Sequence, residues 1–536
     1  MEFTNFSLLF PDNKTYAAFH SGNEKADIDM YTLNELGMLD MLDLSSSELS
    51  EFFTTSKEVM EYRTEVFADM MKHKPLTETL GKLLSVLNDI TELRQLEADG
   101  SEADDYLASI TEIELYISCI EILHKGLCSS NAVFRSRAFT ALQRYVRELT
   151  ESEYYVKLNQ RLNELTTRVR EIKSISIGVN LDQSLRPTYS GVISINSEPF
   201  KSGDTLDKIL RLNLRNDRYT CIANLVPAAK GQSDNQRTAL SNALNSALND
   251  IYRSSLKSWK KIVNTYILEN TDFLLRLMPE IEFLVKGTEL QKRLIMSGHK
   301  LSKPEIAPME QRALSAKGLY NPAVALKLDS GEQMVTHDVS FDTNDALIYV
   351  LTGPNRGGKS VITCALGLSL AMMQLGMFVP AEHARMSPAD AIFTHFPTGA
   401  DDTIDKGRLG EECDRLSEIF DCVTPYSLVL LDESFSSTGS YEGSYIASEV
   451  LCGLSVAGCR ALFSTHLHEL AAEIDRINLD ASKLGGVKID TLVAGIDDGE
   501  RSFKIHRAKP DGKSYARDIA ERYGLTYDSI LKKLGK

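Results

Sequence analysis

The chain predicts a multidomain α plus α/β protein: an amino-terminal helical core and lever region with a small β insertion, followed by an α/β domain built on a phosphate-binding loop. Three observations carry this. Helical apolar periodicity fills most of the first 300 residues, two alternating β-branched runs interrupt it, and a strand, a glycine loop and a helix follow one another near residue 350. A length of 536 residues, 43% hydrophobic and 25% charged, is the balance of an ordinary globular protein and exceeds what one core supports.

Residues 1–173 read as a helical core. From Asp29 to Lys173 apolar residues recur at three and four positions, as in Leu80, Leu83, Leu84, Leu87 and Ile90, with few Gly or Pro between them. Residues 174–200 read as a β insertion, because Ile175–Val179 and Val192–Ile195 alternate around a Pro and Gly turn region. Residues 201–300 read as a helical lever or clamp arm: the period returns from Asp234 to Ser297, broken near Pro279. Residues 301–536 form the second domain. A Pro-containing stretch from Lys303 to Pro322 opens it, and short β-rich segments follow at Ala323–Leu328, Met334–Phe341 and Ala346–Leu351. No internal repeat is found, so a solenoid is not expected.

Charge and cysteines narrow the setting. No apolar run of about 18 residues occurs, and the start MEFTNFSLLFPDNKTY has no basic segment leading into an apolar one, so a cytoplasmic protein without a membrane span is expected. The 8 cysteines are scattered without a C-x-x-C pair, which points to reduced thiols rather than disulfides or zinc. The net charge is −16, yet between Pro199 and Lys300 there are 16 Lys and Arg against 10 Asp and Glu, an excess of +6 that leaves −22 on the remainder. Arg135 to Lys173 is also basic, with Arg135, Arg137, Arg144, Arg147, Arg161, Arg168 and Arg170. Such a distribution suits nucleic-acid contact at one place, or the solvated faces of long helices.

The chemistry concentrates after residue 346. Ala346–Leu351 leads into Gly353-Pro354-Asn355-Arg356-Gly357-Gly358-Lys359-Ser360, which fits G-x-x-x-x-G-K-[ST], and a helical run, Val361–Leu375, follows. The glycines let backbone N–H groups turn toward a β-phosphate, and the helix start adds its positive end. Lys359 supplies charge to the β- and γ-phosphates, and Ser360 offers a hydroxyl to Mg²⁺. About 70 residues on, the run Ser427–Leu431 ends in Asp432 and Glu433, as a buried parallel strand would deliver them to the carboxyl edge of a sheet. Asp432 is placed to hold Mg²⁺ through water, and Glu433 to orient or deprotonate the water attacking a γ-phosphate. A third strand, Arg460–Thr465, ends at His466, which is either a γ-phosphate sensor or a structural histidine; position alone leaves both open.

Together the motifs T-G-P-N-R-G-G-K-S, G-M-F-V-P-A-E-H-A (Gly376–Ala384), L-L-D-E-S (Leu430–Ser434), T-x-x-x-E-G (Thr438–Gly443) and S-T-H-L-H-E-L (Ser464–Leu470) strongly resemble the MutS family of ABC-type ATPases. Phe503–Gly524 is similar to the carboxyl-terminal part of that family's ATPase domain. The resemblance covers about residues 315–530 closely and the first 300 loosely. It implies a P-loop ABC-type ATPase that binds ATP and Mg²⁺ and forms a homodimer with two shared nucleotide sites, attached to a helical DNA-clamping arm. By resemblance, Asn355, Gly358, Lys359 and Ser360 would bind phosphates and Mg²⁺. Asp432 would support Mg²⁺, Glu433 would be the hydrolytic base, His466 the sensor, and His506 would stack on adenine.

The sequence departs from the family pattern in three places. The usual trans signature G-R-S-T-F after an Asp-Asp pair is here Asp401-Asp402, then Gly407-Arg408-Leu409-Gly410-Glu411, without the serine; backbone N–H groups near Gly410 would have to replace it. Ser434–Thr438 replaces the usual G-R-G-T run. No amino-terminal reading domain with an F-x-E wedge is found, so the usual mismatch reading is not expected. The chain ends about twenty residues after Tyr515, so a dimer would use the ATPase face or the helical arms. The expected function is ATP-dependent clamping or release of structured or branched DNA in repair or recombination. An alternative is a nucleotide-switched interaction protein acting on a protein or ribosomal partner. A transporter subunit is disfavoured, because no L-S-G-G-Q-like signature occurs.

Overall fold

The computed structural model describes residues 6–96, 102–128, 133–170, 174–181, 187–196, 266–328, 334–353, 357–396, 408–436, 438–497, 500–508 and 523–534, with short pieces at 183, 198–199, 201–202, 220–221 and 263. Its contacts divide it into two compact units: Met1–Glu78, Val133–Ala141 and Pro279–Lys536 in one, Thr79–Ala132 and Leu142–Met278 in the other. The expected linear cut near residue 300 is therefore not where the contacts divide. The first 78 residues cluster with the α/β region, through pairings hundreds of residues apart.

The second unit is helical with a β insertion. Leu80, Leu83, Leu87 and Ile90 are buried on one face of the helix Lys74–Leu96, as their spacing requires, and Tyr116 and Ile120 are buried on the helix Glu102–Leu127. Arg94 ties three segments together: its guanidinium donates to Glu112 at 2.7 and 3.1 Å and to Asp272 at 2.8 Å. Strands β1 (Ser174–Leu181) and β2 (Pro187–Asn196) pair antiparallel, with Ile175 opposite Ile195. Strands β3 (Lys201–Ser202) and β4 (Thr220–Cys221) form a short parallel pair. Most of the expected arm between residues 203 and 262 lies outside the described residues. Pro279 occupies the second position of the helix Met278–Met296, where a missing N–H costs nothing, so it starts a helix there.

The first unit carries the larger sheet. Its strands are β5 (Glu305–Ile306), β6 (Leu314–Leu319), β7 (His337–Phe341), β8 (Ile348–Thr352), β9 (His383–Met386), β10 (Ile392–His395), β11 (Leu428–Asp432), β12 (Arg460–Ser464), β13 (Ile489–Asp497) and β14 (Glu500–Arg507). Six form one sheet in the order β10-β11-β12-β8-β13-β14, parallel except for the β13–β14 pair. Every residue of β8, β10, β11 and β12 is buried, the expected state of parallel strands covered on both faces by crossover helices. Val350, Val429, Leu431, Ala461 and Phe463 share a core with Leu451 and Leu454 of the helix Ser440–Ala457. A second sheet has the order β5-β9-β6-β7.

One expected strand is a helix. The first half of Ala323–Leu328 lies in a helical turn, Pro322–Ala325, because the Asn321 side chain accepts from the N–H groups of Ala323 and Val324 at 2.9 and 3.1 Å and Pro322 suits the first helical position.

The amino-terminal segment is built into this unit. Asp27 N–H donates to Asp390 O at 2.7 Å and Asp27 O accepts from Ile392 N–H at 3.1 Å, extending the chain alongside the start of β10. Thr32 in the helix Met30–Glu35 accepts from Thr394 N–H at 3.2 Å. Gly367 leaves room for Leu36, since a Cβ there would stand 2.7 Å from a Leu36 methyl. Arg63, fully buried, donates to Leu9 O and Phe52 O and faces the Phe10 ring at 4.9 Å. No helix among the described residues is long and apolar enough to cross a membrane.

Candidate functional site

Strand β8 ends in a loop that only glycine suits. Gly353 has φ 149, and a Cβ on it would stand 2.7 Å from Ala494 Cβ; Gly358 has φ 86 and precedes the helix Lys359–Gln374. Pro354, Asn355 and Arg356 lie outside the described residues. Lys359 is 3% exposed, and its Nζ donates to Gly353 O at 3.1 Å and lies 3.9 Å from Glu433 Oε1. Burial lowers its pKa, opposed by Glu433 and Asp432. A buried ammonium carried on the glycine loop presents a desolvated positive charge where an anion would sit.

The acids stand opposite. Asp432 ends β11, and burial raises its pKa while hydrogen bonds from the Ser360 and Ser464 hydroxyls oppose the rise. Its Oδ1 is buried and has no hydrogen-bond partner among the described residues. An orphaned carboxylate oxygen beside the exposed Ser360 hydroxyl is a hard-oxygen set that fits Mg²⁺. Glu433 takes left-handed backbone, φ 49, with its N–H on Ser464 O at 2.8 Å. The Thr363 hydroxyl joins the two sides, 3.0 Å from Lys359 O and 2.6 Å from Ser464 Oγ.

A cavity of about 430 Å³ opens here. Gly357, Gly358, Lys359, Ser360 and Glu433 line it together with His337 and the apolar side chains of Val324, Leu328, Met334, Val335, Val361 and Phe503. Burial pushes the His337 imidazole down to about 4, so it is neutral at pH 7. Such a wall suits a planar apolar group attached to a phosphate chain.

Gly353, Gly357, Gly358, Lys359, Ser360, Asp432 and Glu433 thus converge on the carboxyl edge of the sheet. His466 follows β12 at the same edge, half-buried, with no hydrogen bond to Lys359 or the acids among the described residues. His506 is not at the cavity. It lies on β14 opposite Val493 and faces a separate cavity of about 350 Å³ with Lys317, Tyr349 and Arg507. The ring that β14 brings to the glycine loop is Phe503, 3.7 Å from where a Gly358 Cβ would stand. Asp401, Asp402 and Gly407 lie outside the described residues, whereas Arg408, Leu409, Gly410 and Glu411 open the helix Arg408–Cys422.

Two family models match the chain. The model of MutS domain V matches residues 349–512, and the model of the MutS2 N-terminal domain matches residues 55–296. The chain belongs to the MutS family. It is similar to the DNA mismatch repair protein MutS of Leptospira interrogans, 34% identical over 218 residues, 39% of this chain and 25% of that protein. The same-named protein of Clostridium kluyveri is 32% identical over 265 residues, 48% and 28% of the two chains. That of Porphyromonas gingivalis is 35% identical over 229 residues, 40% and 26%. This MutS-family chain thus spans about a quarter of the length of the curated relatives it matches.

Sequence reasoning missed the apolar side chains that line the cavity. Met334 and Val335 belong to an expected strand run but precede the strand, which starts at His337, and Val324 sits on a helical turn whose signal, Asn321 before Pro322, is present in the sequence.

Proposed function

We propose that this MutS-family protein binds ATP in the cavity at the glycine loop, hydrolyses it, and uses the nucleotide state to clamp or release structured or branched DNA in repair or recombination. The observation that carries the reading is a cavity lined by Lys359, Ser360 and Glu433 together with apolar side chains, with Asp432 next to Glu433 at the end of β11. In this reading residues 301–536 are a P-loop ABC-type ATPase domain, residues 201–300 are the clamp arm, and two copies pair through their ATPase domains in the cytoplasm.

Each residue has work that follows from its place. The glycine-loop N–H groups and Lys359 hold phosphate oxygens where negative charge builds up. Glu433, beside Lys359 at the open side, accepts a proton from the attacking water or aligns it. His466, exiting the adjacent strand, reads the γ-phosphate. Ser360 and Asp432 would hold Mg²⁺, which when bound neutralises phosphate charge. The apolar wall and Phe503 enclose the base. The basic excess of the central third supplies contacts to DNA phosphates, which makes the affinity fall with salt.

The test is the steady-state ATPase rate of the protein alone and with linear duplex, mismatched duplex, four-way junction and structured RNA at fixed salt. Stimulation by the junction is expected. A rate that no nucleic acid changes would sink the DNA clamp and favour a switch acting on a protein or ribosomal partner.

A further inference from the structure

The loop after β11 is held in place from outside the cavity. Glu433 and Phe435 both have positive φ, 49 and 64, a backbone state that residues with bulky side chains keep only when their surroundings impose it. Two buried side chains impose it here, each 4% exposed. His395, the last residue of β10, places Nδ1 2.6 Å from Ser434 Oγ. Glu412, on the helix Arg408–Cys422, accepts the Phe435 N–H on Oε2. Phe435 is 1% exposed, so without Glu412 its N–H would be buried and unsatisfied in this conformation. Gly443 completes the fit, since a Cβ there would stand 2.9 Å from Phe435 O.

We infer that Glu412 and His395 are positioning residues for Glu433. They fix the left-handed turn from Glu433 to Phe435, and the turn sets the direction of the Glu433 carboxylate, 3.9 Å from Lys359 Nζ. Neither is among the residues that line the cavity, so their effect passes through the backbone of one loop. Glu412 joins the loop to the helix that begins at Arg408, and His395 joins it to the end of the neighbouring strand. Displacement of either element therefore turns Glu433 without touching the phosphates. The inference rests on the hydrolytic reading above.

The experiment compares E412A, which removes the acceptor, with E412Q, which keeps an oxygen in reach of the Phe435 N–H. The readouts are kcat, KM for ATP, the Kd of a non-hydrolysable ATP analogue, and hydrogen exchange at the Phe435 amide. E412A is expected to lower kcat about 100-fold, the scale of a misplacement of about 1 Å, with KM and Kd unchanged and faster exchange at Phe435. E412Q is expected to restore most of kcat and the slow exchange. Should E412A fail to fold, S434A removes the His395 contact instead and is expected to lower kcat at constant Kd by a smaller factor. Wild-type kcat in E412A would overturn the assignment alone, as would parallel loss of binding and turnover in E412A and E412Q. Wild-type protein that binds ATP without turning it over would overturn the hydrolytic reading and this assignment with it.

Discussion

The carboxyl edge of the larger sheet and the amino-terminal segment packed on the same unit use polar groups in opposite ways. At the edge, groups are desolvated or strained: Lys359 is buried 3.9 Å from the Glu433 carboxylate, Asp432 Oδ1 has no hydrogen-bond partner among the described residues, and Glu433 has φ 49. In the amino-terminal segment, polar groups close on one another. Asp27 exchanges two backbone hydrogen bonds with Asp390 and Ile392, Asp29 pairs with Arg415 at 2.7 Å, and Ser7 and Leu8 donate to Glu280 at 2.8 and 2.7 Å. A group reserved for a ligand cannot also be spent on the fold, so stability has to come from elsewhere in the unit. Mutations in the two regions should therefore separate activity from stability.

The sharpest separation is expected at Lys359 and Glu433. Lys359→Ala should lower ATP turnover by roughly 1000-fold or more, because it removes the cation facing the developing phosphate charge. Glu433→Gln should lower turnover on a similar scale while retaining bound ATP. Neither should lower the melting temperature, since the first removes a desolvated charge and the second keeps the shape of the side chain. Turnover measured by phosphate release, nucleotide retained on filtration and thermal melts check all three statements. Retained turnover in both variants would break the comparison at its functional end.

Arg63→Met probes the other end. The substitution leaves the Leu9 and Phe52 carbonyls without their donor and the half-buried Glu280 without its nearby positive charge. Loss of about 3 kcal/mol or more is expected, the usual range when one side of a buried charged arrangement is deleted. Urea unfolding measures it, and ATP affinity of the remaining folded protein should not change. A fall in affinity at unchanged stability would show that the amino-terminal segment belongs to the site.

The same contrast explains what could be read from the chain. Gly353–Ser360 and Asp432–Glu433 are legible because each group directly follows an apolar run, so local order alone places it at a strand end. The amino-terminal segment is illegible for the converse reason: Thr32 meets Thr394 and Asp29 meets Arg415 across more than 350 residues, and nothing in the helical period of Met30–Glu35 names the partner. His506 fails on a finer scale. Phe503 has φ 55 inside β14, where the pairing with β13 shifts register, and this local break in alternation, which a motif cannot specify, brings its ring to the glycine loop. Glu412 carried no signal at all, because its partner is a backbone N–H and any residue there would supply one.

The smallest expected effect lies where the two regions meet in one unit. Glu35, at the end of the helix Met30–Glu35, is half-buried; burial pushes its pKa up from the ordinary 4.5 to about 7, Arg415 opposes the rise, and Asp432 adds to it. A carboxyl whose folded pKa lies above its unfolded one binds more protons in the folded state, so its contribution to stability is fully present below about pH 4.5 and is lost as pH rises through about 7. Glu35→Gln has no proton to lose. Melting temperatures of wild type and E35Q measured from about pH 5 to about pH 8 should therefore diverge, the wild type losing ground to the variant until the difference levels off above the folded pKa. The shift is expected to be only a few degrees, because Glu35 is partly solvated and water screens it. Parallel curves would mean that Glu35 is ionised throughout, and that the amino-terminal helix contributes to this edge by packing and hydrogen bonds without adding a titrating charge beside Asp432.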